Sequence, residues 1–424
     1  MLFFKIMIKR RFILSLILKW LDRDEIIIIS GPRRTGKTTL LYMIREELLK
    51  KRIPEKNIFM LNLEDIDVLQ ELRRSPKALL KYIIDENKKN YFLIDEIQYL
   101  EEPTNFLKYL YDMHRNKVKL IVTGSYLFEL KGQFRDSLVG RKVQFRLSPL
   151  TFAEYVDFKD EELLPYLSKT EIPGSIHNDL LTLLEEYLVY GGMPEVVLTD
   201  DIEIKKTLLK EYVNTYLRKD IRYISGSNDI LRYNDLLSIL AGQISGLLNI
   251  QEICNTLGMS HAKVKKYLEH FILSSVVYFV PPFYTNVRTQ ISKMRKIFLF
   301  DIGIRNQIIQ NFSFPAIRND AGALFENFLF NELINLIGQE NIFYYRTKVG
   351  AEIDFIIRRE KIIPVEVKYK KLKKPVGIKA LKYFIEKNKI DRGYLVNLTL
   401  NQIINNGKIE AVDFVRFVSH LKRL

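Results

Sequence analysis

At 424 residues the chain is long enough for two or three domains, each with its own core. Its apolar content is that of a globular chain rather than a disordered one. The formal net charge of +15 favours a polyanionic partner, nucleic acid or an acidic membrane surface. A lone Cys254 excludes internal disulfides and a cysteine metal cluster, and suits a reducing cytoplasm.

Met1 to Trp20 is apolar around Lys9-Arg10-Arg11, and Phe12 to Leu18 mimics a short signal peptide. No small-residue cleavage site follows, and the run is too short to span a bilayer. The expectation is a helix packed beside a sheet; a helix on a membrane surface is the alternative. Ile26-Ile27-Ile28-Ile29 then suits a strand buried in a parallel sheet. Directly after it, Gly31 to Thr38 reads G-x-x-x-x-G-K-T, a loop that cradles phosphates. Gly31 and Gly36 let the backbone curl around a polyphosphate with amides pointing inward, and Pro32, Arg33, Arg34, Thr35 and Thr39 complete the contact. Lys37 would set an ammonium against the β- and γ-phosphates of ATP, and Thr38 would offer its hydroxyl to Mg²⁺. The helix starting near Lys37 adds the positive end of its dipole.

After a helix over 38–51 and a strand at Ile58 to Leu63, a second helix is expected from Pro76 to Asn87. Tyr91 to Ile94 is an apolar strand closed by Asp95-Glu96. Asp95 would hold Mg²⁺ and Glu96 would polarise the attacking water. Leu120 to Ser125 is another buried strand with a polar end, where Thr123 or Ser125 would orient that water; Ser125 reads equally as a helix N-cap. Arg141, with Arg135 behind it, is the candidate transition-state arginine; an exposed arginine with no such role is the competing reading.

These residues resemble a widespread group of uncharacterised prokaryotic AAA-type ATPases, archaeal ones especially. The likeness rests on Gly31–Leu41, Asp95-Glu96, Thr123–Ser125, Gly140–Tyr155 and the mid-chain Tyr190-Gly191-Gly192-Met193-Pro194-Glu195. It implies an extra strand between the phosphate-loop strand and the strand ending at Asp95.

From Leu164 to Leu180 the pattern loosens into a linker or surface loop, and a mostly helical segment follows, including Glu211 to Tyr223. Leu248 to His261 has helix-turn-helix grammar, one helix ending at Gly258 and Ser260 capping the next. Val264, Leu268 and Phe271 form an apolar stripe on that second helix, with His261, Lys263, Lys265, Lys266 and His270 off it. A basic face at the start of a recognition helix suits DNA, although such winged-helix modules also serve as protein adaptors. Ser275 to Val280 would belong to the wing.

Near the C-terminus, Lys296 to Asp301 reads as a strand and Gly322 to Leu336 as a helix carrying Glu326. Gly350 to Ile357 and Ile362 to Lys368 read as paired strands, with Ile353, Phe355, Ile357, Ile363, Val365 and Val367 inward. Glu352 with Asp354, and Glu366 with Lys368, would share the opposite face. Asp354 and Glu366 are hard-oxygen ligands for Mg²⁺ or Mn²⁺, and Lys368 would steady the nucleophilic water in phosphodiester hydrolysis. This G-x-E-I-D…V-E-V-K pattern resembles the PD-(D/E)xK nuclease core, and that resemblance implies Glu326 as the helix acid. Pro364 inside the second strand departs from a central-strand pattern. Lys370, Lys371, Lys373 and Lys374 read as a solvated loop or as a phosphate-tracking run.

The expected architecture is α/β: an N-terminal amphipathic helix (1–20), an AAA-type P-loop parallel sheet (21–160), a helical and winged-helix middle (161–285) and a restriction-endonuclease-like domain (286–424). The expected activity is ATP hydrolysis acting on DNA, with a metal-dependent nuclease site and self-association. The competing readings are a nucleotide-switched regulator or adaptor with an inert nuclease fold, and a membrane-surface ATPase.

Overall fold

Four consecutive isoleucines serve two cores at once. In the computed structural model, which describes residues 9–85, 87–124, 138–169, 171–224, 230–284, 286–347 and 350–421, strand β1 (Ile26–Ser30) is buried along its whole length. Ile26 and Ile28 join Phe92, Ile94, Leu120 and Val122 in one hydrophobic cluster. Ile27 and Ile29 join Leu40, Tyr91, Leu93 and Ile121 in another. Period-two alternation and cover on both faces explain the unbroken apolar run. Strands β2 (Ile58–Asn62), β3 (Asn90–Asp95), β4 (Val118–Gly124) and β5 (Lys142–Arg146) complete a five-stranded sheet of order β2-β3-β4-β1-β5. Every neighbouring pair is parallel. β4 therefore separates β1 from β3, as the family resemblance implied.

The helix Ile13–Leu18 and Leu21 beyond it put Leu14, Ile17 and Leu21 into the same cluster as Ile27 and Leu40. That is the helix expected beside the sheet. Among the described residues no helix is long and apolar enough to cross a membrane. The helix expected from Pro76 to Asn87 is instead a 3-10 turn over Pro76–Tyr82, and an α-helix precedes it at Ile66–Arg74. Asp65 starts that helix by accepting from the amides of Asp67 and Val68. Ser75, extended ahead of Pro76, ends it.

The chain divides into two compact units: residues to Ser148, with Leu273–Ser275 grouped among them, and the rest from Pro149 onward. Helix Phe152–Lys159 lies in the second unit, where Phe152 packs edge-on against Phe328 and Phe414, both at 5.6 Å. The stretch expected as a linker is ordered: a 3-10 turn at Glu161–Ser168 and a helix at Gly174–Tyr190, with Leu180 and Leu184 fully buried. Pro165 lies inside that turn, while Pro173 and Gly174 open the helix.

Apart from Leu273–Ser275, segments 161–285 and 286–424 fall within this same second unit. Helices Ile250–Leu257 and His261–Leu273 are joined through Gly258, left-handed at φ 60°, and Ser260 accepts from the Lys263 amide at 3.3 Å. A hairpin of β6 (Val277–Val280) and β7 (Lys296–Leu299) follows. Beyond it, β8 (Ile342–Arg346), β9 (Glu352–Arg358), β10 (Ile362–Val367), β11 (Gly393–Asn397), β12 (Gln402–Ile404) and β13 (Ile409–Asp413) form a mixed sheet of order β12-β13-β11-β10-β9-β8. Phe355, Ile357, Val365 and Val367 face one core, while Ile353 and Ile356 join Leu381, Phe384 and Ile385 in another. Ile353 thus departs from the face expected for it. Pro364 does occupy a central strand. Pairing of β10 with β11 starts only at Val365, beyond it, and Gly393 leaves space for its ring.

The glycine pair of the mid-chain motif also finds a role. Gly192 donates its amide to Asp301 at 2.8 Å, and a Cβ on Gly303 would lie 2.0 Å from the Tyr190 carbonyl oxygen. Only glycine permits that approach.

Candidate functional site

The phosphate loop is built by close approach. A Cβ on Gly31 would sit 2.1 Å from the Leu147 carbonyl oxygen. Gly36, left-handed at φ 92°, opens the helix Lys37–Lys50. Thr35 is buried and donates to the Pro32 carbonyl at 2.8 Å. Arg33 is half-buried, and Arg34, Thr38 and Thr39 are exposed around the loop. Lys37 is buried, with its ammonium donating to the carbonyls of Gly31 at 3.1 Å and Pro32 at 2.9 Å. Burial lowers its pKa, and the nearby Glu96 and Asp95 oppose that shift.

The two halves of the site meet at Thr38, whose hydroxyl donates to Asp95 Oδ2 at 2.6 Å. A helix hydroxyl and a buried strand-end carboxylate, brought together by the fold, are the hard oxygen donors that Mg²⁺ takes. The other Asp95 oxygen accepts from the Thr123 hydroxyl, which itself accepts from the Glu96 amide at 3.1 Å. Thr123, offered as a water-orienting group, thus ties the two acids together. Glu96 is left-handed at φ 57°, and its carboxylate accepts from Gln98. A non-glycine residue held there is costly, and such positions cluster at working sites. Ser125 and Arg135 lie outside the described residues.

Arg141 is not brought to this loop. β5 runs parallel to β1 with Lys142 opposite Ile26, so Arg141 lies at the sheet end away from Gly31. Its guanidinium grips Asp112 instead, at 2.6 and 3.2 Å. One residue that sequence reasoning missed is Arg11. Buried, it donates to the Thr35 carbonyl and to the Ser148 carbonyl, each at 2.8 Å. Its place in a basic run that mimics a signal peptide concealed it.

In the second unit, Glu326 on the helix Ala321–Ile337, Asp354 on β9 and Glu366 on β10 share one cluster with Lys368. At its centre stands Lys296, the first residue of β7. Its ammonium lies 2.8 Å from Glu326, 2.7 Å from Glu352 and 3.4 Å from Asp354, almost wholly buried. Burial alone would favour losing its proton, but Glu326, Asp354 and Glu352 hold its pKa above the usual lysine range. Burial lifts Glu326 to about 8, opposed by Lys296. Asp354 also accepts from the Val367 amide at 2.8 Å. Glu366 binds Lys368 through one oxygen at 2.5 Å, while its other oxygen is buried without a hydrogen-bond partner. Burial, then the Asp354 charge, raises Glu366 to about 7. Among the described residues no group of three or more His, Cys, Asp or Glu is disposed to hold a metal; Lys296 draws Glu326 and Glu352 to itself. Sequence reasoning missed Lys296 because a lysine opening a strand reads as solvated.

A parallel sheet with β4 between the phosphate-loop strand and the Asp95 strand, and a glycine loop leading from the former into a helix, defines a P-loop NTPase fold. Residues 23–156 match the family model described as an AAA domain. Residues 181–314 and 321–416 match models described as domains of unknown function, DUF8612 and DUF4143. The chain is 29% identical over 409 residues to an uncharacterised protein of Methanocaldococcus jannaschii, covering 93% of this chain and 87% of that one. It is 28% identical over 380 residues to an uncharacterised protein of Haemophilus influenzae, covering 86% and 88%. Among solved structures it is similar to a Walker-type ATPase of Pyrococcus abyssi, at 16% identity and a TM-score of 0.48, covering 71% of this chain and 96% of that one.

Proposed function

We propose that this protein is a cytoplasmic ATPase that acts on DNA, with a metal-dependent phosphodiester-cleaving centre in its second unit. The contact of Thr38 with Asp95 beside Lys37 carries the ATPase reading, because it joins two motifs far apart in sequence at the mouth of one loop. Lys37 would exchange the loop carbonyls for β- and γ-phosphate oxygens, and Thr38 and Asp95 would hold Mg²⁺. The ion supplies charge neutralisation for the leaving diphosphate. Glu96 would take the proton of the attacking water, with Thr123 fixing the backbone that presents it. Arg141 enters this scheme only as a group delivered to a neighbouring copy. Wild-type turnover of ATP with Mg²⁺, lost in Lys37→Ala, supports the reading; equal turnover in both overturns it.

The DNA reading rests on the helix His261–Leu273. Val264, Tyr267, Leu268 and Phe271 are buried, and His261, Lys265 and Lys266 are exposed. Lys370, Lys371, Lys373 and Lys374 are exposed as well, next to Lys368. The nuclease reading rests on the unpartnered Glu366 oxygen beside Asp354 and Lys368. Asp354 and Glu366 would carry Mg²⁺ or Mn²⁺, Lys368 would steady the water, and Glu326 would complete the core. Nicking of DNA with Mn²⁺ by wild type, absent in Asp354→Ala and Lys368→Ala, tests it. Equal nicking by all three removes the nuclease and leaves a nucleotide-switched regulator.

A further inference from the structure

The carboxylate cluster of the second unit holds more acid than one divalent ion needs, and it already contains a cation. Glu326, Glu352 and Asp354 converge on the Lys296 ammonium at 2.8, 2.7 and 3.4 Å, and Arg346 reaches the far oxygen of Glu352 at 3.4 Å. Lys296 is 1% exposed and sits at the start of β7, where the bridge from Leu247 fixes its backbone. Burial and three ion pairs together hold the ammonium inside the cluster. On the other side of Asp354, the buried Glu366 leaves one oxygen with no hydrogen-bond partner. The two sides differ in kind. One is filled by a buried ammonium on three carboxylates; on the other, the one-third-exposed Lys368 holds a single Glu366 oxygen at 2.5 Å and leaves the second as an orphaned acceptor.

We infer that Lys296 is a built-in cation occupying the position of a second metal, so that the cluster takes a single divalent ion, on Asp354 and Glu366. This rests on the nuclease reading above. A divalent ion ligated by Glu326 and Glu352 would lie within a few ångströms of the ammonium, and like charges at that separation in a poorly solvated site repel strongly. On the Glu366 side an ion replaces a missing hydrogen bond, and the remaining coordination is left to water and phosphate oxygens, as suits Mg²⁺ or Mn²⁺. Lys296 is a positioning residue here: it holds Glu326 and Asp354 in place and touches no substrate atom.

The test is the Mn²⁺ stoichiometry of the full chain, read by electron paramagnetic resonance in an Asp95→Asn background that removes the ATPase site. One ion is expected, weakened at least tenfold in Glu366→Gln. Lys296→Met is expected to bind two, and Lys296→Arg, which keeps the charge, one. Two ions with Lys296 intact, or one ion in a folded Lys296→Met, overturns the inference and leaves the nuclease reading standing. No ion with Lys296 intact overturns the nuclease reading itself. Should Lys296→Met fail to fold, as circular dichroism would show, the count with Lys296 intact still decides.

Discussion

The Arg11 guanidinium donates to the carbonyl of Thr35 at 2.8 Å, from a segment that precedes the first strand of the sheet. That carbonyl belongs to the peptide group whose amide is Gly36's, so a cation on the oxygen polarises the N–H that would meet a phosphate in the proposed ATP site. The second arm of Arg11 reaches Ser148, just after Leu147, whose carbonyl crowds Gly31. One buried guanidinium thus braces both sides of the loop. A hydrogen bond to a charged group contributes about 1.5–3 kcal/mol. Arg11→Met should therefore raise the KM for ATP by roughly ten- to a hundredfold while kcat changes little. Arg11→Lys should recover part of this. Steady-state kinetics read the split, and an unaltered KM would leave Arg11 only a packing role.

Thr123 and Glu96 make a second prediction. Thr123 holds Asp95 through its hydroxyl and Glu96 through that residue's amide, so Thr123→Val keeps the volume and loses both. Glu96→Gln should bind ATP normally and turn over at least about a hundredfold more slowly, the scale of a lost general base. Thr123→Val should fall between the two, with nucleotide affinity preserved. Single-turnover hydrolysis beside a binding titration checks this. Wild-type turnover in Glu96→Gln excludes it as the base.

Much of this site was legible in sequence because both motifs are local: a strand runs straight into a glycine loop, and a strand ends in two acids. Local grammar also placed the Gly258 turn and the β9–β10 pair. What stayed hidden is non-local. Arg11 and Lys296 take their meaning from carbonyls and carboxylates that the fold carries to them, and each looks like an ordinary solvated cation in the chain. Arg141 is the opposite case. It sits in a motif-rich stretch, but the parallel register of β5 sends it to the far end of the sheet. The helix Ile66–Arg74 was passed over because its start depends on one Asp65 side chain.

Asp301 supplies a pH dependence. It is fully buried and accepts from the amides of Gly192 and Ile304, both at 2.8 Å. Burial raises its pKa to about 6, against the opposing pull of those amides. A raised carboxyl pKa means that the unfolded chain ionises first. The stability tied to Asp301 is complete below about pH 4, declines as pH rises to about 6, and is flat above. The shift corresponds to on the order of 3 kcal/mol. Relative to Asp301→Asn, wild type should lose its advantage across that window in thermal melts, and parallel curves would refute the assignment.

The exposed lysines of the helix His261–Leu273 give the last prediction. Lys265 and Lys266 lie off a stripe that Val264, Leu268 and Phe271 bury, so replacing them removes charge without touching the core. If each contacts a phosphate, losing it releases one fewer counterion on binding. The slope of log K against log salt should then become shallower by about 0.9 for each residue replaced. Lys265→Gln with Lys266→Gln should weaken duplex binding uniformly across sequences, because phosphate contacts carry no base information. Melting behaviour and ATP turnover without DNA should be unchanged. Fluorescence anisotropy over a salt series measures the slope, and an identical slope in the double variant would move the DNA contact off this helix, leaving the lysine run beyond Lys368 as the surface to test.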